Sequence, residues 1–138
     1  MILLHSPLGE YPPEMPNSVS LPCAVAAKAF HFLSGVGGWA AERPAEEEPG
    51  ESSMIVRLEY ADGEKEDHPL YSGIHFADYV HRFDVPGSKF AFELARDRQI
   101  RYFAIHPKRR ERLRRLGIVK GTDHTAPVVM AITVEALE

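Results

Sequence analysis

Cysteine is almost missing from this chain. Cys23 is the only one among 138 residues, so no intrachain disulfide can form. Long apolar runs are missing as well. None approaches the roughly 18 residues that a membrane-spanning helix needs, and no membrane insertion is expected. An excess of positive charge is also absent. The 16 Lys and Arg are outnumbered by 20 Asp and Glu, for a net charge of -4. That removes any global attraction to nucleic acid, and none is expected as a partner. The opening Met-Ile-Leu-Leu-His-Ser-Pro has neither a basic n-region nor a long apolar h-region, so it does not read as a secretory signal. The expectation is a cytosolic protein, or a mature or excised piece of a longer one.

Catalytic signatures are equally scarce. No Gly-x-Ser-x-Gly and no phosphate-binding glycine loop occurs. Gly35, Gly37 and Gly38 read as a turn. Glu46 to Glu48 is a solvated acidic run, whereas glycosidase carboxylates must face each other across a substrate. Cys23 follows Pro22 with His31 eight residues on, and reads as a small buried apolar residue rather than a nucleophile. No enzyme is expected. The seven His form no His-x-His or His-x3-His pair, and His75 and His81 are six apart. A transition-metal site is therefore not expected. No cofactor is expected either, with a structural Ca²⁺ left open, since loop Asp and carbonyl oxygens can supply its ligands.

What the chain does have is punctuation: 11 Pro and 10 Gly. That favours short strands and many turns over long helices. The clearest element runs from Ser53 to Leu70. Met54, Val56, Leu58 and Tyr60 alternate with Ile55, Arg57 and Glu59, the period of a strand. Asp62-Gly63 then marks a hairpin turn. A two-residue loop would oppose Glu59 to Glu66. A three-residue loop, Ala61 to Gly63 with Gly63 left-handed, opposes Glu59 to Lys65 and Arg57 to Asp67, and is preferred. Further short strands are expected at Ile2 to Leu4, Val19 to Leu21, Phe90 to Leu94 and Ile100 to Ile105. Val128 to Val134 should be a buried central strand. Cys23 to Ser34 reads equally as helix or strand, and Leu113 to Val119 is also ambiguous. Ile74 to Phe83 mixes aromatics, His and Asp with no clean period. The basic stretch from Lys108 to Arg115 reads as a solvated sheet edge, where cations resist unwanted pairing, ahead of a phosphate-binding stripe; an anionic glycan or a protein partner would also fit its charge.

Three segments carry a family resemblance. They are Lys28-Ala-Phe-His-Phe-Leu-Ser with Trp39; Leu58-Glu-Tyr-Ala-Asp-Gly with His68-Pro-Leu, Gly73 and Ala77-Asp-Tyr; and Pro127-Val-Val-Met-Ala-Ile-Thr-Val. In this order they resemble galactose-binding-like β-sandwich modules of large secreted or envelope proteins of environmental bacteria. Such modules are similar in fold to carbohydrate-binding modules. Similar modules often place Trp after the Asp equivalent to Asp78, where this chain has Tyr79, and a His where it has Ser34. The resemblance implies strands at Ala26 to Ser34 and Leu113 to Val119, and an extracellular or envelope location if the chain is excised from a longer protein.

The fold expected is all-β: a single jelly-roll-like two-sheet antiparallel sandwich over residues 1–138, of about eight strands, galactose-binding-like by resemblance, its opening strand short or missing. The function expected is non-catalytic binding, of a carbohydrate, as an accessory module. The rival is a structural or protein-interaction module contacting other domains of a longer chain. Trp39, Tyr79 and Tyr102 are the candidate rings for stacking on a sugar, and Asp78 and Arg82 the candidate partners for its hydroxyls. Sandwich loops gather at the ends of the strands, so the ligand is expected near Trp39 and Asp78-Tyr79. These residues plugging the open end of the core, with Asp78 capping nearby N–H groups, is the competing account.

Overall fold

The computed structural model describes residues 1–8, 15–38, 40, 44–45, 47, 50–80, 82–96 and 98–137. These form strands β1 (Ile2–Leu3), β2 (Ser18–Pro22), β3 (Ala27–Gly37), β4 (Met54–Tyr60), β5 (Lys65–Leu70), β6 (Lys89–Ala95), β7 (Arg98–Ile105), β8 (Leu113–Lys120) and β9 (Ala126–Ala136). No helix occurs among the described residues. The strands make two sheets, ordered β1-β9-β3-β7-β6 and β2-β8-β4-β5, with every strand pair antiparallel. The protein is an all-β two-sheet antiparallel sandwich, consistent with a jelly-roll-like arrangement.

The β4–β5 hairpin shows how local chemistry sets register. Glu59 lies opposite Lys65 and Arg57 opposite Asp67, as the three-residue loop requires. Arg57 donates both Nε and Nη2 to the Asp67 carboxylate, at 2.7 and 2.9 Å. Gly63 takes φ +92°, a conformation open to glycine and strained for a side chain with a Cβ. The inward set Met54, Val56, Leu58 and Tyr60 is buried, and meets Phe30 and Phe32 of β3 and Phe103 of β7 in one core. Phe32 and Phe103 stack with centroids 5.1 Å apart, and Phe76 meets Phe103 edge-on at 6.2 Å.

Both ambiguous segments are strands, β3 and β8. The basic stretch, however, is not at a sheet edge: Lys108 to Arg112 lie in the connection between β7 and β8, and Arg114 and Arg115 lie in β8. β8 is hydrogen-bonded between β2 and β4. A register shift where Tyr60 meets Leu113 and Glu59 meets Arg115 leaves Arg114 and Arg115 both exposed, while Leu113, Leu116 and Ile118 face the core. A bulge thus lets an interior strand carry adjacent cations. Arg114 bonds Glu59, and Arg109 bonds Asp62 at 2.8 Å.

β9 is also corrected. It pairs with β3 along its length, but β1 covers only Val128 and Val129. Val129 is buried, Ile132 only partly, and Val134 remains 37% exposed. β-propensity makes a run a strand; it does not say how many neighbours flank it.

The wedge Ala77–Tyr79 positions the features described next. Val36 donates to the Ala77 carbonyl (3.3 Å) and Tyr79 to the Val36 carbonyl (3.0 Å). On the other side Gln99 donates to the Tyr79 carbonyl (2.8 Å). The segment therefore inserts between β3 and β7 beyond their last pair, Ser34 and Arg101.

Candidate functional site

The wedge decides what happens to the residues singled out from sequence. Asp78 is buried, and its carboxylate accepts the Ala40 N–H (3.3 Å) and the Val80 N–H (2.9 Å). Tyr79 points to the outer face of the five-stranded sheet. Arg82 is exposed, with its guanidinium 3.7 Å from the Phe90 ring centroid. Tyr102 stacks on His31 at 5.9 Å. His31 Nε2 donates to Glu135 (3.0 Å), which leaves Nδ1 to accept the Tyr102 hydroxyl (2.7 Å). Trp39 and His81 lie outside the described residues. The described candidates do not form one cluster. Asp78 is turned inward, Tyr79 outward, and Arg82 and Tyr102 hold partners of their own.

Tyr79 belongs to an apolar groove of about 480 Å³, walled by Leu3, Leu94, Ile100, Val128 and Met130. Its floor is the glycine backbone of β3. A Cβ on Gly37 would stand 3.1 Å from Tyr79 Cε1, and one on Gly35 would stand 3.4 Å from Ile100 Cδ1. The Gly-x-Gly of β3 makes room for the tyrosine ring. Gly35 and Gly37 close the strand rather than forming a turn, and Gly38 leaves it at φ +75°.

A second cleft of about 480 Å³ mixes polar and apolar walls. Topology creates it. β6 begins at Lys89 opposite Tyr102, so among the described residues Phe103 to Ile105 of β7 have no strand on that side. β5 is the outermost strand of the facing sheet. The turn 71–76 closes one end. It is held by the Gly73 N–H on the Phe76 carbonyl (2.7 Å) and the Tyr71 N–H on His75 Nδ1 (3.0 Å). The Pro86-Gly87 turn packs on it so closely that a Gly87 Cβ would lie 2.7 Å from the Ile74 carbonyl. Tyr71, His75, His68, His106 and Lys108 line this space above Phe103. The Tyr71 and His75 rings are tilted by 31°, with centroids 6.0 Å apart. Nδ1 of His75 accepts from Tyr71, so the proton of the neutral ring sits on Nε2.

Behind the cleft lies a carboxylate that the pattern of β5 did not reveal. Glu66 faces inward at the sheet edge and accepts from Tyr60 Oη (2.7 Å), from the Lys108 N–H (3.1 Å to each oxygen) and from His68 Nε2. Burial works to raise its pKa, but these hydrogen bonds outweigh it and hold the carboxyl below its usual range. Burial, then the Glu66 bond, pushes the Tyr60 hydroxyl up to about 12. Burial also pushes the Cys23 thiol up, so Cys23 is a protonated core residue.

Among the described residues no three His, Cys, Asp or Glu side chains group as a metal site. The nearest thing to an oxygen cage surrounds an ammonium. Lys120 Nζ lies 2.8 to 3.3 Å from the carbonyls of Ser53, Gly121 and Asp123 and from Asp123 Oδ1. Asp123 also accepts from the Thr125 hydroxyl (2.6 Å) and from Ser53. The larger omission from the sequence reading is Arg101, 1% exposed on β7. It bonds Ser88 Oγ (2.6 Å), the Ser88 carbonyl (2.8 Å), the Phe83 carbonyl (3.0 Å), Gln99 Oε1 (3.1 Å) and Asp84 (3.2 Å). It thereby ties down the loop that supplies the Gly87 wall. Its only sequence signal is a lone cation inside an aromatic, β-prone run.

Compared with protein-family models, with curated proteins and with solved structures, the chain matches none.

Proposed function

We propose that the chain is a non-catalytic binding module, and that the cleft between β5 and the end of β7 takes a carbohydrate. One observation carries this reading. In a single cleft of about 480 Å³, an aromatic pair, Tyr71 and His75, stands beside His106, Lys108 and a stretch of β7 backbone that, among the described residues, has a strand neighbour on one side only. That volume lies in the range of small-ligand sites, roughly 300–1,000 Å³. A sugar needs both parts: a ring face for its C–H groups and directed donors and acceptors for its hydroxyls. The resemblance to galactose-binding-like modules supports the same reading at the level of fold. The test is calorimetric titration with a panel of oligosaccharides, for the native chain and for Tyr71→Ala. The reading expects a saccharide that binds the native chain and loses affinity at least about tenfold in Tyr71→Ala, with an unchanged fold. Equal binding by both proteins would reject the cleft.

The apolar groove supports a second reading, a protein-interaction module. Leu94 at its wall is 46% exposed, and its lining offers almost no polar group to a sugar. Under this reading Tyr79→Ala weakens capture of an apolar partner and leaves sugar binding intact.

A further inference from the structure

We infer that the saccharide taken by this cleft is an acidic one, carrying a carboxylate such as that of a uronic acid; the inference rests on the carbohydrate reading above. It comes from following each charge around the cleft to its partner. Asp67 is spent on Arg57, whose guanidinium grips both carboxylate oxygens at 2.7 and 2.9 Å. Glu66 is spent on Tyr60, His68 and the Lys108 N–H. Arg109, next in the chain, is spent on Asp62 at 2.8 Å and Glu111 at 3.2 Å, with its guanidinium 4.3 Å from the Tyr60 ring centroid. Both carboxylates of this region are therefore compensated. The Lys108 side chain is not: among the described residues no carboxylate lies within 4.0 Å of its ammonium, and it lines the cleft.

One further lining side chain points the same way. His106 is exposed beside Lys108. Imidazole N–H groups and an ammonium are donors, and a carboxylate is an acceptor with two oxygens to share. A neutral sugar would use the same stacking surface but would leave the Lys108 charge without a counterpart. The backbone of this segment is already fixed, because the Lys108 N–H is held by Glu66. The ammonium therefore projects from an anchored point.

The experiment titrates the native chain with two oligosaccharides of one linkage and length, one neutral and one with uronate units, at low and at high salt. Binding is read by calorimetry and by the amide resonances of Tyr71 to His75. The inference expects the uronate to bind at least about tenfold tighter, since hydrogen bonds to charged groups exceed neutral ones by about that factor. Salt should shrink that ratio. Lys108→Met should bring it toward one, and Lys108→Arg should keep it. Equal affinity for the two sugars, with resonance shifts at Tyr71 to His75, would overturn the inference and leave the carbohydrate reading standing. Binding of neither sugar at the cleft would overturn both.

Discussion

Replacing Arg101 by Leu is expected to cost about 3 kcal/mol of stability and to loosen one wall of the cleft. The guanidinium is 1% exposed and donates to four groups besides Asp84. The Asp84 bond contributes little, because that side chain is 87% exposed and solvent screens the pair. The loss comes from the acceptors left behind: the Phe83 and Ser88 carbonyls and Gln99 Oε1. A buried acceptor without a donor costs about 1–3 kcal/mol. Two effects reduce the sum. Leu no longer buries a charge, and Asp84 and Pro86 lie in an exposed loop whose carbonyls can turn to water. A loss of about 3 kcal/mol lowers Tm by about 10 °C for a chain of this size. Urea unfolding gives the first number, with the slope checked for constancy, and a thermal scan the second. Hydrogen exchange at residues 83–88 should accelerate in the same variant. Arg101→Lys should recover only part of the loss, since an ammonium cannot reproduce the fork. A Leu variant melting within about 1 °C of the native chain would refute the assigned role.

Gly63→Val should destabilise by about 1–3 kcal/mol in urea unfolding, because φ is +92° there. Gly121→Ala should also destabilise: its Cβ would fall 2.0 Å from the Ser52 carbonyl oxygen, so the backbone must move, and thermal unfolding will show it. Ile132→Ala should cost about 1–2 kcal/mol, less than a fully buried Ile, because among the described residues β9 has no partner beyond Val129 on its outer side. Burial raises the Asp123 pKa, but bonds from Lys120, Ser53 and Thr125 outweigh it and hold the carboxyl low. A depressed folded pKa means stability that is present above the unfolded value and lost as pH falls through the folded one. The native chain should therefore lose stability below about pH 4, and Asp123→Asn should flatten that loss in acid titrations followed by fluorescence.

The legible parts of this fold are those where neighbours in sequence are neighbours in space. Met54 to Tyr60 alternates because one sheet face is buried, and the Glu59–Lys65 and Arg57–Asp67 pairings with Gly63 in the turn favour the observed hairpin register. The misplaced parts depend on a distant partner. Val128 to Val134 is β-prone whether flanked on one side or two, and only the shortness of β1 decides. Of the Lys108 to Arg115 cations, those up to Arg112 lie in the connection before β8, and Arg114 and Arg115 lie in an interior strand whose alternation is broken by a bulge opposite Glu59. Asp78 and Tyr79 were singled out, but their separation to opposite faces follows from the wedge between β3 and β7, which no local pattern encodes. The proposed cleft was within reach only in pieces. His68 stands in the legible hairpin and His75 in the stretch from Ile74 to Phe83 without clean period, while Phe103 and Lys108 come from much later in the chain.

The central claim is that the cleft between β5 and the end of β7, rather than the Tyr79 groove, holds the ligand. The most direct test is a residue-resolved NMR titration of the chain with neutral and acidic oligosaccharides. The account predicts saturable shifts confined to Leu70 to His75 and Phe103 to Lys108. Shifts centred instead on Gly35, Gly37 and Tyr79, or no saturable shift with any saccharide, would contradict it.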